Sequence, residues 1–89
     1  MTLMKIQNGS SLIAIGFDFK RNIFRAVIDG GDADNYVYDH YGVDSSVFYK
    51  ILATPIDAIS YDMYIDNVYR KYTYHIHSNV HTSAIWGKH

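Results

Sequence analysis

Tyr36, Tyr38 and Tyr41 fall within the run YVYDHY, itself inside NYVYDHYGVDSS. Residues two apart on an extended chain share a face, so Tyr36 and Tyr38 form an aromatic pair while Tyr41 takes the opposite side. Such rings stack on unpaired bases at about 1 to 3 kcal/mol per contact. The same rings can instead wall a small core, and Tyr41 is then the one expected in solvent. Lys20, Arg21 and Arg25 lie close together, as do Arg70 and Lys71. They would rim a phosphate-contacting surface if a turn and a helix end met in space; solvated surface is the plainer reading. Arg70 and Lys71 also suit the negative end of a helix dipole.

The run HIHSNVH sets His75, His77 and His81 at i, i+2 and i+6. On a strand His75 and His77 project together, which suits a zinc or nickel pair. No cysteine and no assured carboxylate completes the set, so surface histidines are expected and no metal is assigned. DGGDADN, residues 29–35, superficially suggests calcium. It lacks a glycine at the sixth position and the bidentate glutamate at the twelfth position of an EF-hand loop, and the chain contains no glutamate at all. A solvated hairpin loop is the expectation. Ser10, Ser11, Ser45, Ser46, Asp39 and His40 supply reactive groups, but none sits in a nucleophile elbow or a glycine-rich phosphate loop. The chain is therefore read as no enzyme, with no cofactor.

The elements that must carry these residues come from one short chain. Eighty-nine residues make a single domain, able to bury only about 60 to 65% of its unfolded surface. The composition, 48% hydrophobic and 16% aromatic with one proline, is that of a folded protein. Nine tyrosines bring apolar area with a polar tip, useful where the core lies near the surface. The absence of cysteine excludes disulfides, thiolate metal sites and cysteine nucleophiles. A net charge of −1 argues against affinity dominated by phosphate neutralisation. With no basic-then-apolar leader and no apolar stretch near the roughly 20 residues that cross a bilayer, a soluble cytoplasmic protein is expected, with no membrane partner.

SLIAIGFDF reads as a strand with Ile13, Ile15, Phe17 and Phe19 on one face and Leu12, Ala14 and Gly16 on the other. KRN makes a tight connection, IFRAVI a second strand, and YVYDHY a third. At Asp44 the rhythm changes. Asp44 is a good N-cap, Val43 and Phe48 have the spacing of a hydrophobic staple, and Val47, Phe48, Ile51 and Leu52 form a helical stripe. A second helix starts either at Thr54-Pro55 or at Ser60, and carries Tyr61, Tyr64, Ile65, Val68, Tyr69 and Tyr72 at helical spacing. Tyr72, Tyr74 and Ile76 then alternate with Thr73, His75 and His77, suggesting a fourth strand. The expected fold is α+β: an antiparallel meander of three or four strands packed against two helices.

SSLIAIGFD, YVY, GVDSSVFYKIL and ISYDMYIDNVYRKY, in that order, resemble the KTSC domain over about residues 10–74. That short module is named for its place at the C-terminus of some lysyl-tRNA synthetases and also stands alone in bacteria and phages. The chain departs from the family's pattern at Val43-Asp44, where members commonly carry Val-Pro. It also lacks the glycine and the Phe-Asn pair that lead into the family's second helix. What the resemblance implies is binding of RNA or another nucleic acid; the residues themselves offer Tyr36, Tyr38 and Tyr41 with the nearby cations for such contact, in a non-catalytic module. The composition favours the alternative, a protein-binding accessory or inhibitor of phage type, acting on a host factor or defence system, with self-association open.

Overall fold

Five strands lie side by side in the order in which the chain makes them: β1 (Leu3–Lys5), β2 (Leu12–Asp18), β3 (Ile23–Asp29), β4 (Asp34–His40) and β5 (Tyr74–His81). Every neighbouring pair is antiparallel. The computed structural model describes residues 1–6, 11–31 and 34–81, with the side chains of residues 56 and 78–81 left out. The expected α+β meander is present, with one strand more than the three or four anticipated. The addition is β1, too short to reveal an alternating pattern. It pairs beside Gly16, where an added Cβ would sit 2.9 Å from both the Leu3 side chain and the Thr2 carbonyl oxygen. Only glycine lets β1 approach so closely.

The β2 faces differ from expectation at one end. A bulge between Leu12 and Ala14 sends Leu12 into the main core and turns Ile13 to the other side with Ala14. From Ile15 onward the alternation holds. Asp18 Oδ1 accepts from the backbone N–H groups of Lys20 and Arg21, and Asn22 takes a left-handed φ of 55°. Together these close the four-residue turn into β3.

Helix α1 (Ser45–Leu52) begins where the period changes. Asp44 caps it, accepting from the Ser46 N–H at 2.8 Å. Phe48 and Ile51 face inward, joined by Val43 from just outside the helix. The Thr54-Pro55 start yields only a 3₁₀ turn (Ile56–Ala58), because the Pro55 carbonyl accepts from Ala58 N–H and the helix goes no further. The longer helix starts instead at the Ser60 cap: α2 (Tyr61–Tyr64) runs straight into a π-helical turn, Ile65–Tyr69. Arg70 N–H reaches back five residues to the Ile65 carbonyl, and the Asn67 side-chain amide takes the Met63 carbonyl at 2.8 Å. The wider turn puts Tyr64 and Tyr69, five apart, on the same side.

The helical segments cover one face of the sheet. Leu12, Ile15, Phe17, Phe24, Ala26 and Ile28 meet Val43, Phe48, Ile51, Ile59, Tyr64 and Val68 there. Phe24 lies at the centre, with its ring 6.0 Å from Phe48 and stacked 6.2 Å from Tyr64. The second face holds a smaller cluster of Ala14, Val27 and Val37. No helix among the described residues is long and apolar enough to cross a membrane.

Candidate functional site

The turn from β2 to β3 and the facing side of α1 build one apolar surface. Phe19 sits in that turn, 54% exposed, yet its ring is fixed by Phe17 at 4.9 Å, Phe48 at 6.0 Å and Tyr49 at 5.8 Å. Beside it Tyr49 is 57% exposed, and Leu52 and Met1 are exposed too. Phe19, Leu52 and Met1 border a cleft of about 680 Å³ between β1, the end of β2 and α1, lined also by Thr2, Met4, Phe17, Asp18, Lys20 and Phe48, while Tyr49 adjoins it through its contact with Phe19. The helical stripe explains part of this geometry. Phe48 and Leu52, four apart, share a side of α1, but Phe17 of β2 stacks on Phe48 at 5.5 Å while Leu52 stays exposed. Leu52 overhangs the cleft.

The tyrosines of β4 do not form one platform. Tyr36 is exposed at the far end of the strand, its ring against Gly30. Tyr38 points the same way but is half-buried, edge-on to Tyr69 at 5.8 Å and beside Tyr74 at 5.2 Å. Tyr41 is exposed just past the other end of β4 and takes the opposite parity, as expected. Five residues of extended chain separate Tyr36 from Tyr41 by about 16 Å.

A polar group that the sequence offers only as one reactive side chain among several sits behind Tyr38. His40 is fully buried. Its Nε2 lies 2.5 Å from the Tyr64 hydroxyl, and its Nδ1 lies 3.3 Å from the Tyr72 carbonyl oxygen. A carbonyl only accepts, so Nδ1 carries the proton and Nε2 accepts from Tyr64. Burial lowers the His40 pKa, against the opposing pull of the Tyr72 carbonyl and the Asp39 charge. Burial also pushes the Tyr64 hydroxyl far upward. Rings of Phe24, Tyr38, Tyr69 and Tyr74 close around the imidazole. With both nitrogens bound and no solvent access, this pair fastens β4 to α2 and the chain before β5. The sequence signal was the parity of His40, which follows Tyr36 and Tyr38 at i+2 steps onto the helix-covered face.

On the second face Arg25 grips Asp39 with two hydrogen bonds, 2.7 and 2.8 Å long. The Asp39 hydrogen bond, outweighing burial, raises the Arg25 pKa further. Arg25 is thus committed to an intramolecular pair. His75 and His77 do project together from β5, with ring centroids 4.6 Å apart, and His77 Nε2 lies 3.7 Å from Asp39. The carboxylate that would complete a metal set is the one already held by Arg25. Among the described residues no group of three metal-ligating side chains converges. The side chain of His81 lies outside the described residues, as do Asp32, Ser10 and everything from residue 82.

Strand pairing places the remaining cations. Asp18 pairs with Ile23, Phe24 with His40, and His40 with Tyr74, so Lys20, Arg21, Arg70 and Lys71 all lie at one end of the sheet. Arg70 there faces Asp66 at 3.6 Å, both highly exposed. Asp29 and Asp34 lie at the opposite end.

Comparison with protein-family models, with curated proteins and with solved structures returns no match. No family is assigned. The geometry stands by itself: one fixed apolar cleft with a cation at its edge, one buried His–Tyr tie, and tyrosines dispersed along β4.

Proposed function

We propose that the chain is a small non-catalytic binding module whose partner is a protein, received by the cleft between β1, the end of β2 and α1. The supporting observation is the exposure of Phe19, Leu52 and Met1 in the lining of the cleft, with Tyr49 exposed beside Phe19. Large apolar side chains left in water together mark interaction sites, and aromatic and Met residues are favoured at interface centres. Phe19 and Tyr49 are already fixed by their ring contacts, so little side-chain entropy is lost on binding. An accessory or inhibitor module acting on a host factor is the form this reading takes.

RNA binding, the expectation drawn from the resemblance to the KTSC domain, has one observation in its favour. Four of the five named cations share an end of the sheet with Tyr41. Against it stand the pairing of Arg25 with Asp39 and the scattering of Tyr36, Tyr38 and Tyr41, which leaves no continuous stacking surface.

The two readings separate in one experiment. Affinity capture is run with the wild-type chain, with Tyr49→Ala/Leu52→Ser, and with Tyr36→Ala, alongside titration of a labelled single strand at two salt concentrations. The expected result is a stoichiometric protein partner that the cleft variant loses and Tyr36→Ala keeps. Binding of the single strand that falls steeply with salt and requires Tyr36 or Tyr41 would overturn the proposal.

A further inference from the structure

We infer that the segment received by the cleft is acidic beside its apolar anchor: an extended or helical stretch of a partner protein with Asp or Glu flanking a large aliphatic or aromatic side chain. This rests on the protein-binding reading above and adds the chemistry of the partner. The observation is the charge at the cleft mouth. Lys20 lines the cleft directly, and Arg21 follows it in the same exposed turn.

Asp18 also lines the cleft, so at its mouth two cations, Lys20 and Arg21, stand against one carboxylate. Asp18 works against a desolvation cost, yet the Arg21 and Lys20 backbone N–H groups and the Arg21 charge hold its pKa below the ordinary value. Asp18 Oδ1 accepts from the turn's own amides, whose dipoles offset part of its charge, and Lys20 and Arg21 are both exposed. Asp44, the acidic residue next to α1, is likewise bound to an amide of its own helix. The acidic groups Asp29 and Asp34 lie at the far end of the strands, so an acidic segment is steered toward the cleft end and away from the other. An apolar segment flanked by Lys or Arg meets the reverse field.

The test uses a random-dodecapeptide display library selected against the full chain. The expected outcome is enrichment of peptides with a Leu, Ile, Met, Phe or Trp anchor next to Asp or Glu. The best of them should bind about tenfold more weakly to Lys20→Glu, and weaken as salt rises. Selection against Lys20→Glu/Arg21→Glu should shift the flanking residues toward Lys and Arg. Both positions are exposed turn residues, and thermal melting confirms that the variants fold. Peptides that depend on Leu52 and Tyr49 but carry no acidic bias would overturn this inference and leave the protein-binding reading intact. Peptides indifferent to Tyr49→Ala/Leu52→Ser would sink both. A labelled single strand that binds through Lys20 and ignores Leu52→Ser would assign the basic mouth to nucleic acid and overturn the inference.

Discussion

Tyr64→Phe removes a single oxygen atom and leaves every ring contact of residue 64 in place, including its stack on Phe24. What it strands is the Nε2 atom of His40, which loses its one hydrogen-bond partner among the described residues in a site with no exposure. A buried acceptor left unsatisfied costs about 1 to 3 kcal/mol. For a domain of this length that corresponds to a fall in Tm of about 5 to 15 °C. Urea denaturation followed by circular dichroism at neutral pH measures it, with an unchanged m-value as the sign that the native state is otherwise intact. The double variant His40→Leu/Tyr64→Phe should be less damaged than the two single losses added together, because neither polar atom is then orphaned. The pH dependence follows from the same pair. The folded pKa of His40 lies below its unfolded value of about 6.5, so the unfolded chain takes up the proton first. Stability is full above about pH 6.5 and declines as pH falls toward the folded pKa, with a limiting slope of about 1.4 kcal/mol per unit. The Tyr64 hydroxyl and the Tyr72 carbonyl face the imidazole, and the nearly buried Asp39 carboxylate acts on it by its charge, opposing the larger effect of burial without reversing it. His40→Leu should flatten that limb. A Tyr64→Phe protein within about 0.3 kcal/mol of wild type would mean that the His40–Tyr64 hydrogen bond contributes nothing to the fold.

Arg25→Met leaves the nearly buried Asp39 carboxylate without its two-pronged partner, and stability at neutral pH should drop by about 1 to 3 kcal/mol; Asp39→Asn in the same background should restore part of it. Gly16→Ala drives a Cβ into the Thr2 carbonyl and the Leu3 side chain, so amide exchange at residues 3–6 should accelerate while the β3–β4 amides keep their protection. Gly42 has φ of 68° in open space, so Gly42→Ala costs about 1 kcal/mol through backbone strain alone, read as a shift in the urea midpoint with no change in ring contacts.

The switch from two-residue to helical rhythm at Asp44 was legible because three independent signals coincided there: a cap, a staple and a stripe. The same reading placed His75 and His77 on one side of a strand, and the structure agrees. What escaped was whatever depends on neighbours distant in sequence. β1 exists because Gly16 lets it approach. The bulge that turns Ile13 away from the core is set by pairing with β3. The π-helical turn arises from a five-residue hydrogen bond that no local pattern announces. His40 was noticed only as a reactive group, since its burial depends on Tyr64 and Tyr72, far along the chain. For the site, Phe19 looked like the end of a strand face. Its place in a turn, pinned by Phe48 and Tyr49, makes it an exposed but fixed anchor. Leu52 looked like core by its helical position, yet the sheet stops short of it.

Amide chemical-shift mapping of the chain, titrated with the tightest display-selected peptide, tests the cleft most directly. Perturbations should concentrate on Met4, Phe19, Lys20, Phe48 and Leu52 and leave Tyr36 and Arg25 unmoved. Shifts centred on Tyr36, Tyr41 and Arg25, with the residues around Leu52 silent, would contradict the account.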